Sequence, residues 1–310
     1  MAGSSHLDTV TIPTYLQWMQ DNIFNDEDRV AMNMLIKDAV TKGGTNIVQP
    51  HQYAKNATAG SFNPRGTFPI TNNQKDTNST HYWATFAATV EYYDYDEAIN
   101  SGDKARILND IKNEFENAKM SLQDSIATSL VTGDRSTNAY GFDGLSKAMP
   151  AAANTYGDLD RSTYTWYDCQ RGTFTGNALN LVELRTQWRK CKNGGDKPNA
   201  ILTSDEVEGY YAAQLTDKQM LMSAVVNQAS ADDLAFMGVG IKTDSNVAAT
   251  LLYFLNTKYS KTYKLAGWDM KMTDKIRVQN KAAWSQTILF GCSWYVSRPA
   301  RWGVISGITS

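Results

Sequence analysis

Cysteine and histidine are scarce in this chain, with three of each in 310 residues. Cys169, Cys191 and Cys292 are odd in number and widely separated, with no CxxC pair. Neither a disulfide framework nor a zinc cage is encoded, and a reducing interior suits the chain. His6, His51 and His81 leave little scope for histidine chemistry, because no Ser-His-Asp or Cys-His arrangement has a defensible spacing. They read as ordinary surface histidines. No run approaches the ~18 to 20 apolar residues of a membrane-spanning helix. The longest, such as residues 248–255, are broken within a few positions by Thr250. Residues 1–8 lack the basic start and apolar core of a secretory signal, so export is not expected. Neither sign of charge dominates. Thirty basic against 32 acidic side chains leave −2, which argues against tight, sequence-independent wrapping of nucleic acid. What is present is a 42% hydrophobic globular composition, one or two domains long. Folding such a chain removes roughly three quarters of its unfolded surface from water, so a sizeable core is available.

Along the chain, residues 25–42 read as a short helix with Asp26, Glu27 and Asp28 at its positive end and Gly43-Gly44 as its stop. From 45 to 75 the composition shifts to Asn, Thr, Gly, Pro and Gln and apolar periodicity disappears. A loop that long is uncommon inside a compact domain, and we read it as a projecting arm. Residues 80–93 alternate as a strand, with Tyr82, Ala84, Phe86, Ala88, Val90 and Tyr92 on one side and Thr85, Thr89 and Glu91 on the other. Pairing with 46–53 predicts a long antiparallel hairpin whose tip lies near 62–73. Its exposed edges invite a neighbour. Residues 103–131 form the strongest helix, with Leu108, Ile111, Phe115, Ala118, Leu122, Ile126 and Leu130 at spacings of three and four. Further on, 177–190 reads as a helix with Leu181, Leu184 and Trp188 on one side. Residues 199–202 read as a buried strand, and Thr203-Ser204-Asp205-Glu206 as a capping box launching a helix through Leu215. Strands are predicted at 236–246, 250–255, 288–296 and 302–308.

The candidate chemistry is thin. Glu91, Asp94, Asp96 and Glu97 cluster before the long helix, but they lack EF-hand spacing and have a dipole reason to be there. Gly238, Gly240, Lys242 and Thr243 lack the spacing of a phosphate loop and read as a turn between strands. Arg185, Arg189, Lys190 and Lys192 suit a helix C-terminus. Arg298 and Arg301, either side of Pro299, face phosphate or a neighbouring subunit, and the sequence leaves that choice open. Tyr92, Tyr93 and Tyr95 are core formers first, and interface residues if they stand beside a projecting arm.

Several strings resemble one family. They are Tyr82-Trp83-Ala84 entering the strand, Asn100-Ser101-Gly102 before the long helix and Gly141-Phe142-Asp143-Gly144-Leu145 after it. Thr155-Tyr156-Gly157-Asp158-Leu159-Asp160-Arg161 and Pro198-Asn199-Ala200-Ile201-Leu202-Thr203 follow. In order and spacing, over about residues 40 to 310, the chain resembles the major capsid proteins of tailed bacteriophages. The resemblance implies an α+β, Hong Kong 97-type capsid fold with a long spine helix at 103–131 and an extended β-hairpin loop at 45–93. It also implies an N-terminal arm at 1–44, a peripheral domain at 94–140 and 268–310, and an axial domain at 141–267. The implied function is self-assembly, through pentamers and hexamers, into an icosahedral virion shell built in the host bacterial cytoplasm around double-stranded DNA.

No catalytic residue, cofactor, metal or membrane partner is expected. The implied partners are further copies of the chain, a separate scaffolding protein, a portal, a decoration protein and, by weak nonspecific contact, packaged DNA. With only some forty residues ahead of the loop, a cleaved scaffolding segment is not expected, and no Lys, Asn and Glu set aligns for a covalent crosslink. Phe62, Arg65 and Phe68 in the loop tip and Tyr92, Tyr93 and Tyr95 at its base are the expected intersubunit contacts. The alternatives are an encapsulin-like nanocompartment, a phage adhesin or tail component, and last an enzyme using Asp94 or Asp96.

Overall fold

The computed structural model describes residues 29–36, 39–67, 74–95, 104–174, 178–219 and 234–309, with backbone alone for 104–112 and 216–219. The fold is α+β, with few helices and several sheets. One strand organises the first sheet. β15 (Ala283–Val296) pairs along one edge with β4 (Ala84–Tyr93), antiparallel from Ala84 opposite Cys292 to Tyr93 opposite Ala283. Its other edge takes β12 (Ser260–Leu265), β13 (Lys271–Met272) and β14 (Ile276–Arg277) in succession. β1 (Val40–Lys42) adds in parallel to β12. The half of β15 from Phe290 to Val296 is buried throughout, as a strand covered on both faces must be.

A helix of 29 residues, α2 (Lys104–Thr132), packs on this sheet. At ~1.5 Å per residue it is roughly 43 Å long. Leu122, Ile126 and Leu130 are buried, and Phe115 and Ala118 lean on the same core, which bears out the apolar stripe over its described part. Leu108 and Ile111 lie among the side chains that are not described. A Cβ on Gly133, just past the helix, would come within 2.8 Å of the Phe142 carbonyl, so only glycine allows the chain to turn there.

The second sheet is mixed, in the order β7 (Gln170–Thr173), β16 (Gly303–Ser306), β11 (Leu252–Leu255), β8 (Ala200–Thr203), β10 (Val239–Thr243), β9 (Ala235–Phe236). Alternate residues serve two cores. Leu252, Phe254, Ile201 and Ile305 meet Leu184 and Trp188 of α4 (Leu181–Cys191) and Val207 and Tyr211 of α5 (Asp205–Gln219). Tyr253, Leu255, Leu202 and Val304 belong to the core of the long helix. β8 and β11 are therefore buried at every position, which is why they read as continuous apolar runs.

Four expectations change. The helix expected at 25–42 is the six-residue α1 (Val30–Leu35), and residues 40–42 form β1 instead. There the Lys42 carbonyl accepts from Ala266 N–H at 2.9 Å, a ladder bond that a continuing helix forgoes; residues 25–28 lie outside the described set. The strand expected at 80–93 is two strands broken at Tyr82-Trp83. β3 (Asp76–His81) pairs with β2 (Ile47–Gln52), whereas β4 joins β15, so the arm comprises β2, β3 and the loop between them. The capping box does not form, because Thr203 Oγ1 donates to the Leu251 carbonyl at 2.9 Å and the buried Ser204 Oγ has no partner. The helix at 177–190 begins at Leu181, where Asn180 accepts from Val182 N–H at 2.9 Å and competes for the start. The turn expected around Gly238 is present, joining β9 to β10 with positive φ at Met237 and Gly238.

Candidate assembly interface

The arm is amphipathic across its two strands. Ile47, Gln49 and His51 stand opposite His81, Ser79 and Thr77, and this face turns toward the protein. Val48, Pro50, Asp76 and Asn78, on the other face, are exposed, Val48 by 51%. Beyond the strands, nearly every residue from 53 to 67 is exposed. The tip turns at Asn63-Pro64-Arg65-Gly66, where Gly66 N–H donates to the Asn63 carbonyl and Arg65 N–H to the Asn63 side chain. Asparagine first and proline second is the chemistry of a type I turn.

The root is held by rings. His81 is 4% exposed and stacks on Tyr295 at 4.1 Å, and the Tyr295 hydroxyl donates to Gln49 across the hairpin. His51 Nε2 lies 2.8 Å from Ser79 Oγ, which lies 3.0 Å from His81 Nε2, so one serine joins the two histidines. Desolvation first, and the neighbouring His51 second, push His81 down to about 3, and burial also lowers His51. Both are neutral near pH 7. Tyr53 stacks on Trp166 at 5.6 Å, and His51 packs against Trp166 and Tyr167.

A small hairpin, β5 (Thr155–Tyr156) with β6 (Leu159–Asp160), receives the arm. Its Gly157 carbonyl accepts from Thr80 N–H at 3.0 Å, and Asp158 accepts from the Tyr82 hydroxyl at 2.8 Å. Gly157 sits at φ +57°, and a Cβ there would meet the His81 ring at 2.8 Å. Beneath lies Arg161, 1% exposed, its guanidinium 4.7 Å from the Tyr156 ring and 5.9 Å from that of Tyr167. The rings face a charge that has few hydrogen-bond partners, since Nε and Nη2 have none.

Of the expected contact residues, Phe62 (58% exposed) and Arg65 are exposed on the loop between β2 and β3. Phe68 lies outside the described residues. Tyr92, Tyr93 and Tyr95 are not at the arm's base. β4 leaves the root at Ala84 and runs ten residues away from it, about 30 Å at ~3.3 Å per residue. At its far end Tyr92 is half-buried beside Lys275, whereas Tyr93 and Tyr95 are 44% and 71% exposed. The structure thus places the five described residues in two separate patches, Phe62 and Arg65 on the arm and Tyr92, Tyr93 and Tyr95 at the distal edge of the first sheet.

The acidic cluster is ordinary where it is described. Glu91 pairs with Lys281 and Asp94 with Arg277, while Asp96 and Glu97 lie outside the described residues. No group of three metal-ligating side chains occurs among the described residues, nor does a helix long and apolar enough to cross a membrane. His51 and His81, expected at the surface, are instead part of the arm's root, and His6 lies outside the described residues. The available signal was period-two spacing of polar residues, His51 in one strand and Ser79 and His81 in the other, on the face that the exposed residues leave inward.

No protein-family description matches the chain, and no curated protein sequence matches it. Solved structures do. A chain of the cyanophage A-1(L) capsid asymmetric unit superposes with a TM-score of 0.71 at 15% identity, covering 97% of this chain and 98% of that one. The capsid of a native GTA particle gives 0.65 at 9% identity, over 98% of both chains. The SrpI encapsulin from Synechococcus elongatus gives 0.63 at 10% identity, over 99% of this chain and 96% of that one. The fold of this chain is the fold they share.

Proposed function

We propose that the chain is the major capsid protein of a tailed phage, a subunit that assembles with its own copies into a closed icosahedral shell around double-stranded DNA. The observation that carries the reading is the likeness to the cyanophage capsid chain over nearly the whole length of both. The arm supports it. A hairpin rooted by stacked rings, with an exposed tip, is built to be held rigidly and covered by something other than its own chain. In this reading α2 is the spine helix of a Hong Kong 97-type peripheral domain and the first sheet its platform. The mixed sheet with α4 and α5 is the axial domain, and β2, β3 and the loop between them are the extended loop. Phe62 and Arg65 on that loop, and Tyr93 and Tyr95 at the distal sheet edge, are the contacts we assign to neighbouring subunits. Scaffolding, portal and decoration partners, assembly in the host cytoplasm and a noncovalent shell complete the proposal.

A nanocompartment is the second reading, favoured by the encapsulin among the structural neighbours. Negative-stain electron microscopy of the purified protein, with light scattering on the same sample, is the test. Closed particles of uniform diameter support a shell, and DNA inside particles recovered from cells decides for a virion. Small oligomers that stay small when a scaffolding protein is supplied refute both shell readings.

A further inference from the structure

The sequence carries two basic sets about a hundred residues apart, one at the end of α4 and one around Pro299. Folding brings the loop that follows the first set against the second. The loop after α4 turns back through the bridge between Asn193 and Asp196, and Asp196 Oδ2 accepts from the Tyr259 hydroxyl at 2.6 Å. Over that same ring lie the Arg298 guanidinium, at 5.4 Å, and the Lys258 ammonium, at 5.6 Å. Arg298 Nη1 also donates to the Tyr259 hydroxyl at 3.3 Å. Asn256 ties the loops from beneath, its amide donating to Asp196 Oδ1 and to the Lys197 carbonyl. Arg301 and Lys258 both help to hold the Asp196 carboxyl below its usual range, after the larger effect of the Tyr259 hydroxyl, which places them in the same field.

Residues 192–199, 256–261 and 297–302 together carry six cations, Lys192, Lys197, Lys258, Lys261, Arg298 and Arg301, against one acid, Asp196. Five of the six are exposed, Arg301 is half-exposed, and none takes an ion pair among the described residues. In a chain of net charge −2 this is a local reversal of sign. It is also a costly one, since like charges held together repel. Beside it opens a recess of about 470 Å³ lined by Lys258 and Lys261, whose polar wall is held by bonds between Asn199 and Thr257 and by Ser260 Oγ donating to the Leu35 carbonyl.

We propose that this surface is a phosphodiester contact on which the backbone of double-stranded DNA rests. The partner rests on the shell reading above. The patch itself rests on geometry alone. A broad cationic field on three chain segments matches a polyanion carrying about one charge per 1.7 Å of helix axis better than it matches a single carboxylate. Hydrogen bonds from lysine and arginine to phosphate oxygens carry no base information, so contact here is independent of sequence.

The test is binding of the full-length chain to a 30-base-pair duplex of random sequence, titrated across salt from ~50 to 200 mM. The triple variant Lys197→Gln/Lys258→Gln/Arg298→Gln is expected to bind at least about tenfold more weakly at low salt, with a slope of log affinity against log salt shallower by about 2 to 3. The control Lys271→Gln/Lys275→Gln/Lys281→Gln removes the same charge from the other sheet and is expected to leave the slope near that of the parent chain. No duplex binding by the parent chain, an unchanged slope in the first variant, or equal losses in both variants would overturn the proposal. A parent chain whose binding follows the salt and variant pattern but which forms no shells defeats the shell reading instead, because the duplex assay needs no particle.

Discussion

Acidification tests the root of the arm. His81 is buried between Tyr295 and Tyr156, beside Ser79 and His51, and burial lowers it to about 3, against ~6.5 in an unfolded chain. Above pH 6.5 both states are neutral and the group contributes nothing to pH dependence. Between 6.5 and 3 the unfolded chain binds a proton that the native one excludes, so stability falls as pH falls, by ~1.4 kcal/mol per unit. At pH 4.5 that is roughly 2 to 3 kcal/mol, and His51, lowered in the same direction, adds to it. With a urea slope of ~3 kcal/mol per M for a chain of this size, the unfolding midpoint moves down by about 1 M between pH 7.5 and 4.5. Carboxylates titrate in the same window, so the informative quantity is a difference between variants. His81→Phe keeps the stack on Tyr295 and removes the proton site. Its midpoint is lower at pH 7.5, because Ser79 loses a partner, but it falls less on acidification than that of the parent. Parallel loss in both proteins would refute the reasoning and assign the acid sensitivity to other groups.

Other outcomes follow from the same structure. Gly157→Ala forces a side chain into left-handed backbone against the His81 ring, and is expected to cost about 2 to 4 kcal/mol in urea unfolding. Gly303→Ala places a Cβ 2.5 Å from Cys191 Sγ, and Cys191→Ala in the same chain should recover part of the loss, read as a favourable coupling in a double-mutant cycle. Ile126→Ala, from 2% exposed beneath the long helix, should cost about 2 to 4 kcal/mol, whereas a change at exposed Ser125 should stay within about 0.5 kcal/mol. The thiols are buried, and desolvation raises all three, Cys169 to about 11 and Cys191 to about 12. A colorimetric disulfide reagent at pH 8 should therefore find none in the native protein and three in urea.

Local pattern was enough for some elements. The α2 stripe is written at three- and four-residue spacing, so the helix was legible to within a residue or so of the observed ends. The strand at Ala200 and the helix after it, and the turn at Gly238, were equally plain, because apolar runs and glycine act on their immediate neighbours. The alternation from Ala84 to Tyr92 also named the correct buried face. It did not name the partner. Period-two spacing states which side of a strand is covered, whereas pairing depends on which edge the chain presents at a distance. β4 bonds to β15 some two hundred residues away instead of to the arm beside it. That choice moved Tyr92, Tyr93 and Tyr95 from the arm to the far edge of the sheet, and left His51, Ser79 and His81 to form its root. It is also the tertiary structure that joined the loop of Asp196 and Lys197 to Lys258, Arg298 and Arg301. Charge along a chain is a sum, but an electrostatic field belongs to positions in space, and only the closing of β12 and β16 onto their sheets brings those positions together.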